Sequence, residues 1–332
     1  MKVMITGGMG FIGARLGRAL CERGRLTGVS GQEEPIDELV LFDSVEGPGL
    51  FKEREGDTKV TIVAGDISDG QAVRKLVDRD DISIFHLASV VSGGGEKDFD
   101  LAMRVNLDGG RHVLEALRAR DSEARMVFAS SIAVFGGSRM PSVVGDDVKQ
   151  TPQTTYGITK TMCELMVNDY TRKGFIDGRS ARLPTVIIRP GKPNQAASSF
   201  VSGVFREPLN GVDFELPVSV DTVMPLLGYR AIVENIIHLH ELEKDQLMDD
   251  RAVSLPSHTV SVQDMIDALH AAAVHRRLGQ ITVNPDPFIE QICAGWPQEC
   301  EHALASSLGF TKEDALEEIV CYYIEDLSLI HI

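Results

Sequence analysis

Tyr156 and Lys160 stand four residues apart in TTYGITKTMCEL, the stretch from residue 154 to residue 165. Side chains at this spacing share one face of a helix, so the two groups can act together. A phenol with a pKa near 10 is a weak base at neutral pH, and lowering that pKa by about three units means stabilising the phenolate by roughly 4 kcal/mol. A nearby ammonium has the right charge for this. The spacing therefore indicates a general base, although two unrelated neighbours on a helix surface would show it too.

A serine in a second stretch favours the catalytic interpretation. SSIAVFG, residues 130–136, ends the fifth apolar run of the chain, where an open α/β sheet presents its ligand-facing edge. Ser131 can hydrogen-bond the reacting oxygen atom there. A glycine-rich loop, this serine, the tyrosine and the lysine follow one another along the chain, and independent weak motifs reinforce each other.

Apolar, β-branched runs and helical stretches alternate through the first half of the chain. The runs predict buried strands of a parallel sheet at residues 2–6, 38–42, 59–64, 82–88, 124–130 and 185–189. Helices are predicted over residues 11–24, 68–80, 100–120 and 155–174. This order predicts an α/β fold, a doubly wound parallel sheet of the Rossmann type with right-handed crossovers.

The sequence changes character after Arg189, where short mixed segments replace the alternation. We expect residues 1–190 to form a dinucleotide-binding domain that carries the catalytic groups. Residues 191–326 are expected to form a smaller mixed α/β substrate-binding lobe, with a return of the chain to the first domain around 222–245. A surface loop is expected at the polar residues 24–37, and a disordered or non-native tail at LSLIHI, residues 327–332.

The loop TGGMGFIG follows the first predicted strand and opens the first predicted helix. Gly7, Gly10 and Gly13 allow the backbone to approach a pyrophosphate, which the helix N-terminus then binds. Phe11 and Ile12 lie in the same loop and are candidates for contact with the cofactor. The alternative explanation of the glycines is a tight strand-to-helix turn, which any α/β protein can contain.

Two carboxylates follow predicted strands and extend the dinucleotide hypothesis. Asp43 ends the second strand of the sheet, where it can accept hydrogen bonds from an adenosine ribose and would repel a 2′-phosphate, which favours NAD over NADP. It lies 30 residues beyond Gly13 because the loop at 24–37 intervenes. Asp66, with Ile67, could contact the adenine edge. Either aspartate could instead be a turn or capping residue.

TGGMGFIG, AGDIS, HLAS, VNLDG, SSIAVFG and YGITK together resemble the successive motifs of the extended short-chain dehydrogenase/reductase superfamily over the first 190 residues. The resemblance implies that Tyr156 is the catalytic base and that Ser131 orients the substrate hydroxyl. It also implies that Lys160 binds the nicotinamide ribose and lowers the pKa of the tyrosine, supported through a water by Asn106. By the same resemblance, the cofactor channel is lined by Leu87, Ala88 and Pro190.

A cationic stretch after the last predicted strand suits a small carboxylate. In RPGKPNQAASSF, Lys192 can face the substrate and Ser198 or Ser199 can cap a helix, with Arg206 about two turns further on. A surface lysine, an ordinary N-cap and a solvent-facing arginine are the alternatives. Superfamily members that act on nucleotide sugars hold the diphosphate with an arginine, and Val223 stands at that place here, with Arg230 nearby.

A closer resemblance extends to about residue 270. HLASVVSG, SSIAVFGG, NDYTRKGFIDGR and RLPTVIIRPGKPNQAASSF are similar to the D-erythronate dehydrogenase family. This implies NAD-dependent oxidation of the C2 hydroxyl of a four-carbon sugar acid to a 2-oxo acid, with Ser92 as a further substrate contact or part of a flexible glycine-rich turn. Two alternatives stay open: a nucleotide-sugar epimerase or dehydratase, and a non-catalytic NAD sensor.

Composition excludes other classes of function. A formal net charge of −16 disfavours nucleic acid and anionic membranes as partners, and no apolar run approaches the roughly 20 residues of a membrane helix, so a cytoplasmic protein is expected. Five scattered cysteines and unsuitably spaced histidines indicate neither disulfides nor a metal site. The superfamily resemblance implies a homodimer through helices near 98–119 and 157–172, although Ile158, Met162 and Leu165 could instead pack inside the subunit.

Overall fold

The computed structural model describes residues 1–46, 51–192 and 198–326. The strands in these ranges, numbered along the chain, are β1 (Lys2–Thr6), β2 (Arg25–Thr27), β3 (Glu33–Pro35), β4 (Glu38–Asp43), β5 (Arg54–Glu55), β6 (Thr58–Ala64), β7 (Ile82–His86), β8 (Arg125–Ser131), β9 (Val143–Val144), β10 (Asp177–Leu183), β11 (Thr185–Ile187), β12 (Phe214–Leu216), β13 (Val223–Gly228), β14 (Ala252–Ser254), β15 (His258–Ser261), β16 (Ile281–Val283) and β17 (Glu299–Cys300). The expected tail at 327–332 lies outside the described residues.

The α-helices are α1 (Phe11–Arg23), α2 (Gly70–Leu76), α3 (Ser92–Lys97), α4 (Phe99–Ala102), α5 (Gly109–Arg118), α6 (Thr155–Arg172), α7 (Ser199–Leu209), α8 (Tyr229–Glu241), α9 (Val262–Ala272), α10 (Pro287–Ala294), α11 (Ala303–Ser307) and α12 (Leu316–Asp326). A π-helical turn (Met103–Asp108) joins α4 to α5, and short 3₁₀ turns occupy Ile132–Val134 and Lys244–Gln246. The single helix predicted over 100–120 is therefore interrupted.

The largest sheet of the described chain has eight strands in the order β14-β10-β8-β7-β1-β4-β6-β5, parallel except for the β5–β6 pair. Neighbouring residues of β1 enter different cores: Val3 packs with residues of α1 and α8, whereas Met4 packs with residues of α5 and α6. Both faces of the sheet are thus covered by helices, as continuously apolar parallel strands require. The predicted doubly wound Rossmann fold is confirmed.

The sixth predicted strand was placed wrongly. Residues 185–187 form β11, which pairs with β13 in a separate three-stranded sheet, and the strand beside β8 is β10, with the sequence DGRSARL. This strand escapes a search for apolar runs because Asp177, Arg179 and Arg182 are charged, although all three are buried. Their charges are compensated by partners that come from distant parts of the chain.

A second core belongs to the smaller lobe. It joins β11, β13 and α7 to α9 and α12, through residues such as Val204, Leu226 and Tyr323. Between these elements the chain returns to the large sheet, because α8 packs on β8 and β10 and β14 pairs with β10. In the region 24–37, expected to be a loop, β2 and β3 form a small antiparallel hairpin.

A buried cluster of charged side chains lies at the edge of the large sheet where β8 and β10 begin. Asp177 accepts a hydrogen bond of 2.6 Å from Nη2 of Arg251, lies 3.7 Å from Nε of Arg125 and is bonded to Arg179. Nη1 of Arg179 also donates to the carbonyls of Leu239, His240 and Leu242 at the end of α8, at 3.0, 2.9 and 2.8 Å. One carboxylate and these carbonyls thus compensate three buried guanidinium groups.

Replacing Asp177 with asparagine is expected to lower the free energy of unfolding by about 3–5 kcal/mol, because the three arginines keep their charges and lose their anion. Urea unfolding followed by circular dichroism measures this. Asp169→Asn is the matched control, since its pair with Arg172 is exposed, with side chains 56% and 68% accessible, and should cost less than about 1 kcal/mol. Equal effects of the two substitutions would contradict the buried-cluster interpretation.

Candidate active site

Helix α6 starts next to the segment that carries Ser131. The side chain of Thr154 caps the helix by accepting a hydrogen bond of 3.1 Å from the Gly157 amide. At Gly157 a Cβ atom would lie 2.1 Å from the carbonyl oxygen of Ala133, so only glycine allows this contact. The close approach brings the first turn of α6, with Tyr156, against the end of β8.

Lys160 is held inside the protein one turn beyond Tyr156. Its side chain is 3% exposed, and Nζ donates a hydrogen bond of 2.7 Å to the carbonyl oxygen of Ala129 in β8. Nζ lies 5.4 Å from the centre of the Tyr156 ring and 4.7 Å from that of Phe128, whose π-electrons favour a cation. Burial lowers the pKa of Lys160 to about 8. The predicted pairing of Tyr156 with Lys160 on one helix face is therefore present.

The pKa of Tyr156 is governed mainly by burial. Burial raises it above its ordinary value, and a hydrogen bond with the Ser131 side chain opposes the rise only partly. Removal of the phenolate from water outweighs what the protein's own groups contribute before the cofactor binds. The expected lowering of this pKa by Lys160 beside a bound nicotinamide stays a prediction. Ser131 reaches Tyr156 and also accepts a hydrogen bond of 3.2 Å from the Ala133 amide.

The buried carboxylate of Glu164 links α6 to the strands of the large sheet. Glu164, one turn after Lys160, accepts hydrogen bonds of 3.1 and 2.8 Å from Nε and Nη2 of Arg182 and is also bonded to Ser130 and Gln150. Arg182 and Ser130 lie in neighbouring strands, in register with each other. This support could not be predicted from the sequence, because Glu164 looks like any other glutamate in a helix.

Asn106 lies in the π-helical turn and is 3% exposed. Its side chain bonds the amide and carbonyl of Val90 at 2.7 and 3.1 Å, and its backbone carbonyl accepts a hydrogen bond of 3.3 Å from Cys163. Nδ2 also contacts Thr159 of α6 at 3.3 Å. Asn106 thus ties the loop after β7 to α6, and its relay role stays a prediction.

The glycine loop fits closely against the loop after β7. Gly7 has a φ of 69°, and a Cβ there would lie 2.9 Å from the Ala88 amide nitrogen. At Gly13 a Cβ would lie 2.1 Å from the carbonyl oxygen of Gly7, and at Gly10 it would lie 3.1 Å from the same atom. Gly8, which was not singled out, is equally confined, with Leu41 at 2.8 Å. The loop therefore presents bare backbone at the start of α1, as a dinucleotide pyrophosphate requires.

Asp43 ends β4 beside this loop. Its Oδ2 accepts a hydrogen bond of 3.0 Å from the Met9 amide, and its Oδ1 one of 2.7 Å from the Ser44 amide. The carboxylate is thus oriented next to the glycine loop with lone pairs left for ribose hydroxyls. Asp66 is exposed and accepts a 2.8 Å bond from the Ser68 amide, which lowers its pKa, while Ile67 is buried. Contact of Asp66 and Ile67 with adenine stays a prediction.

The remaining cofactor candidates have mixed surroundings. Leu87 and Ala88 are placed by hydrogen bonds of their amides to Thr6, at 3.0 and 3.2 Å, directly before the glycine loop. Phe11 packs on Tyr229 with ring centres 5.4 Å apart. Ile12 packs both against the core between α1, α8 and the large sheet and against the core of the smaller lobe. The last candidate, Pro190, is partly buried.

The substrate candidates differ in exposure and in their partners. Ser92 begins α3 and is partly buried, and Lys192 is exposed. Ser198 occupies the N-cap position of α7, but its side chain makes no capping hydrogen bond, so the expected cap is absent there; Ser199 is the first helical residue. Arg206 is 3% exposed and donates to Glu207 at 2.9 Å and to the Arg189 carbonyl at 3.0 Å. The solvent-facing alternative for Arg206 is therefore wrong.

Comparison with known proteins agrees with this arrangement. The profile of the NAD dependent epimerase/dehydratase family matches residues 3–246. The chain belongs to this family. The glycine loop and Asp43 fit the family's cofactor, NAD, whose chemistry is to take up or release a hydride at the nicotinamide ring.

Individual relatives are similar over nearly the whole chain. A D-erythronate dehydrogenase of Cupriavidus necator is 44% identical over 99% of both chains, and one of Haemophilus influenzae is 38% identical over 98% of this chain and 99% of its own. A crystal structure described as a nucleoside-diphosphate-sugar epimerase from Agrobacterium tumefaciens is 38% identical, with a TM-score of 0.89 over 98% of this chain and 94% of its own.

No group of three or more His, Cys, Asp or Glu side chains in the described residues could hold a metal ion. Among the same residues, no helix combines the length and the apolarity needed to cross a membrane. All five cysteines are free thiols.

Proposed function

We propose that the protein oxidises the C2 hydroxyl of a small sugar acid, of the D-erythronate type, to the 2-oxo acid with NAD. The main support is the placement of Ser131, Tyr156 and Lys160 together at the carboxyl edge of the sheet that also carries the glycine loop. The two dehydrogenase relatives, similar over nearly full length, supply the substrate class. A binding protein that only sensed NAD would gain nothing from a buried base and lysine.

In the proposed reaction Tyr156 accepts the proton of the C2 hydroxyl while the C2–H bond breaks and the carbon–oxygen bond becomes a carbonyl. A bound NAD⁺ would take up the hydride from C2, so the substrate would lose one proton to Tyr156 and one hydride, which carries the two electrons, to the cofactor. Ser131, already within hydrogen-bond reach of Tyr156, donates to the substrate oxygen and holds it against the phenol.

The positive charge of Lys160 is required near Tyr156 during this step. Its Nζ is anchored on the Ala129 carbonyl and has further N–H donors available for the nicotinamide ribose. We propose that the charge of oxidised nicotinamide adds to that of Lys160 and offsets the cost of burying the phenolate. A water between Asn106 and Lys160 would then carry the proton away from Tyr156.

A nucleotide-sugar epimerase is the second candidate, favoured by the description of the Agrobacterium structure. Such an enzyme would use the same base and cofactor to oxidise and then re-reduce one substrate. Two observations oppose it. Val223 starts β13 where a diphosphate-binding arginine was expected, and Arg230 is bonded to Asp326 at 2.6 Å and stacks on Tyr322 at 4.1 Å.

Purified protein mixed with NAD and D-erythronate should accumulate NADH, which its absorbance measures, and should form none with UDP-sugars. Tyr156→Phe should lower kcat by at least 10²-fold, since general-base assistance is typically worth 10²- to 10⁴-fold. NAD binding should be retained because the phenol oxygen is not part of the glycine loop.

Tyr170→Phe is the matched control, because Tyr170 lies on the same helix but its hydroxyl bonds to Glu115. It should keep near-normal turnover. Normal kcat in Tyr156→Phe would exclude Tyr156 as the base. Conversion of a UDP-sugar to its epimer without net NADH would establish the epimerase instead.

We propose in addition that two copies of the chain pair through α6. Ile158, Met162 and Leu165 are 45%, 39% and 62% exposed, and Phe99 of the adjoining α4 is 60% exposed. The alternative that the three α6 residues pack inside the subunit is therefore wrong. An apolar strip of this kind on a helix marks an interface.

Leu165→Glu should convert a dimer to a monomer in sedimentation equilibrium, because it places a charge on the most exposed residue of the strip. Val274→Glu, at a 72% exposed site in the smaller lobe, should leave the mass unchanged. A wild-type protein that sediments as a monomer at micromolar concentration would rule the pairing out.

A further inference from the structure

The two arginines near the proposed substrate site, Arg189 and Arg206, differ in whether their guanidinium groups already have partners. The guanidinium of Arg206 is bonded to Glu207 through both Nε and Nη2 and to the Arg189 carbonyl through Nη1. Arg206 is also 3% exposed. Its charge is balanced by a neighbour and its donors point into the lobe, so it is poorly suited to bind a substrate carboxylate.

Arg189 is in the opposite situation. Its side chain is partly buried, yet within the described residues the guanidinium has neither a hydrogen-bond acceptor nor an ion-pair partner. Every other arginine of the described chain that is buried or partly buried donates to a carboxylate or a carbonyl; these are Arg15, Arg79, Arg120, Arg125, Arg179, Arg182, Arg206, Arg230 and Arg251. Arg189 is thus exceptional in a chain with a net charge of −16.

The backbone of Arg189 is held at both ends of the residue. Its amide donates a hydrogen bond of 3.0 Å to the Ser202 side chain, and its carbonyl accepts one of 3.0 Å from Arg206, both from α7. Arg189 follows β11 by two residues. The guanidinium therefore extends from a fixed backbone, which reduces the entropy lost when it binds a ligand.

The same segment leaves the large sheet beside the catalytic serine. Leu183, the last residue of β10, is the register partner of Ser131, and the chain reaches Arg189 six residues later. Pro190, a candidate for the cofactor channel, follows directly. The position of Arg189 along the chain is therefore consistent with a place at the substrate side of the nicotinamide.

Electrostatics favour an anion at this position. Burial lowers the pKa of Arg189, and the nearby charge of Arg206 lowers it further. The carboxylate of Glu207 forms its ion pair with Arg206. A carboxylate placed against Arg189 would remove an unbalanced, partly desolvated charge and could form two parallel hydrogen bonds with its planar fork.

We propose that Arg189, rather than Lys192 or Arg206, binds the carboxylate of the sugar acid. The inference rests on the proposed function for the identity of the substrate. It makes Arg189 the residue that distinguishes an acid from a neutral sugar derivative, whereas Ser131 and Tyr156 recognise the hydroxyl.

The test compares D-erythronate with its neutral amide, using the full-length protein with NAD. Wild type should prefer the acid by about 10- to 100-fold in kcat/KM, the range expected for hydrogen bonds to a charged group. Arg189→Gln should lose most of this preference while the amide reacts as before and the Kd for NAD stays within about twofold. Arg277→Gln, an exposed arginine in the same lobe, controls for the change in net charge.

Equal losses for acid and amide in Arg189→Gln would overturn the inference and leave the proposed function standing. Should that variant not fold, Arg189→Lys carries the test: it keeps the charge without the fork, and an unchanged preference for the acid would overturn the inference. Calorimetric binding of D-erythronate to the protein with NADH separates the two proposals. If wild type binds D-erythronate without turning it over, and Arg189→Gln abolishes that binding, the role of Arg189 is supported and the proposed reaction is refuted. If wild type does not bind D-erythronate, both proposals are refuted.

Discussion

The hydrogen bond between Lys160 Nζ and the carbonyl of Ala129 is the constraint on which the site depends. It keeps an ammonium group in the protein interior, 5.4 Å from the centre of the Tyr156 ring. Without this bond the ammonium would be more stable in water. Burial makes that position costly for the cation, as the pKa of about 8 shows, and it also raises the pKa of the Tyr156 phenol. The two charges can coexist there only by compensating each other, with help from an oxidised nicotinamide. We therefore propose that Tyr156 acts as a base only when the cofactor is in place.

The two edges of the large sheet serve different purposes. At the carboxyl edge, Ser131 and the glycine loop leave backbone and hydroxyl groups available to ligands. At the amino edge, Asp177 and its three arginines satisfy one another and the end of α8, which fixes the returning part of the chain to the sheet. Glu164 and Arg182 extend the same type of internal pairing beneath α6. The protein thus has a large negative net charge, and most of its buried arginines are neutralised by partners inside the fold.

Much of the fold could be predicted because its strands are apolar. β1, β4, β6, β7 and β8 appear in the sequence as β-branched runs, and the glycine loop follows the first of them. β10 could not be found in this way, since its buried charges look like a surface segment until Asp177 and Arg182 are seen with their partners. The return of β14 to the sheet depends on the same long-range pairing and leaves no local signal.

Residues of the site could be predicted where their function depends on a fixed spacing along the chain. They were harder to predict where function depends on a side chain without a partner in the fold. Four residues separate Tyr156 from Lys160 on any helix, so their proximity followed from the sequence. Whether Arg206 or Arg189 has a vacant donor depends on Glu207 and on the fold of α7, which no motif encodes. The effect of burial on the pKa of Tyr156 was hidden for a similar reason: the sequence shows a lysine nearby but not how much water the fold removes from the phenol.

The most direct measurement follows the ultraviolet absorbance of tyrosinate against pH, taken as the difference between wild type and Tyr156→Phe, without and with saturating NAD⁺. The expected result is ionisation of Tyr156 above pH 10 in the free protein and a downward shift of its pKa, to below 10, when NAD⁺ is bound. An identical pKa in both states would contradict the claim that the cofactor's charge, added to that of Lys160, turns this phenol into a base.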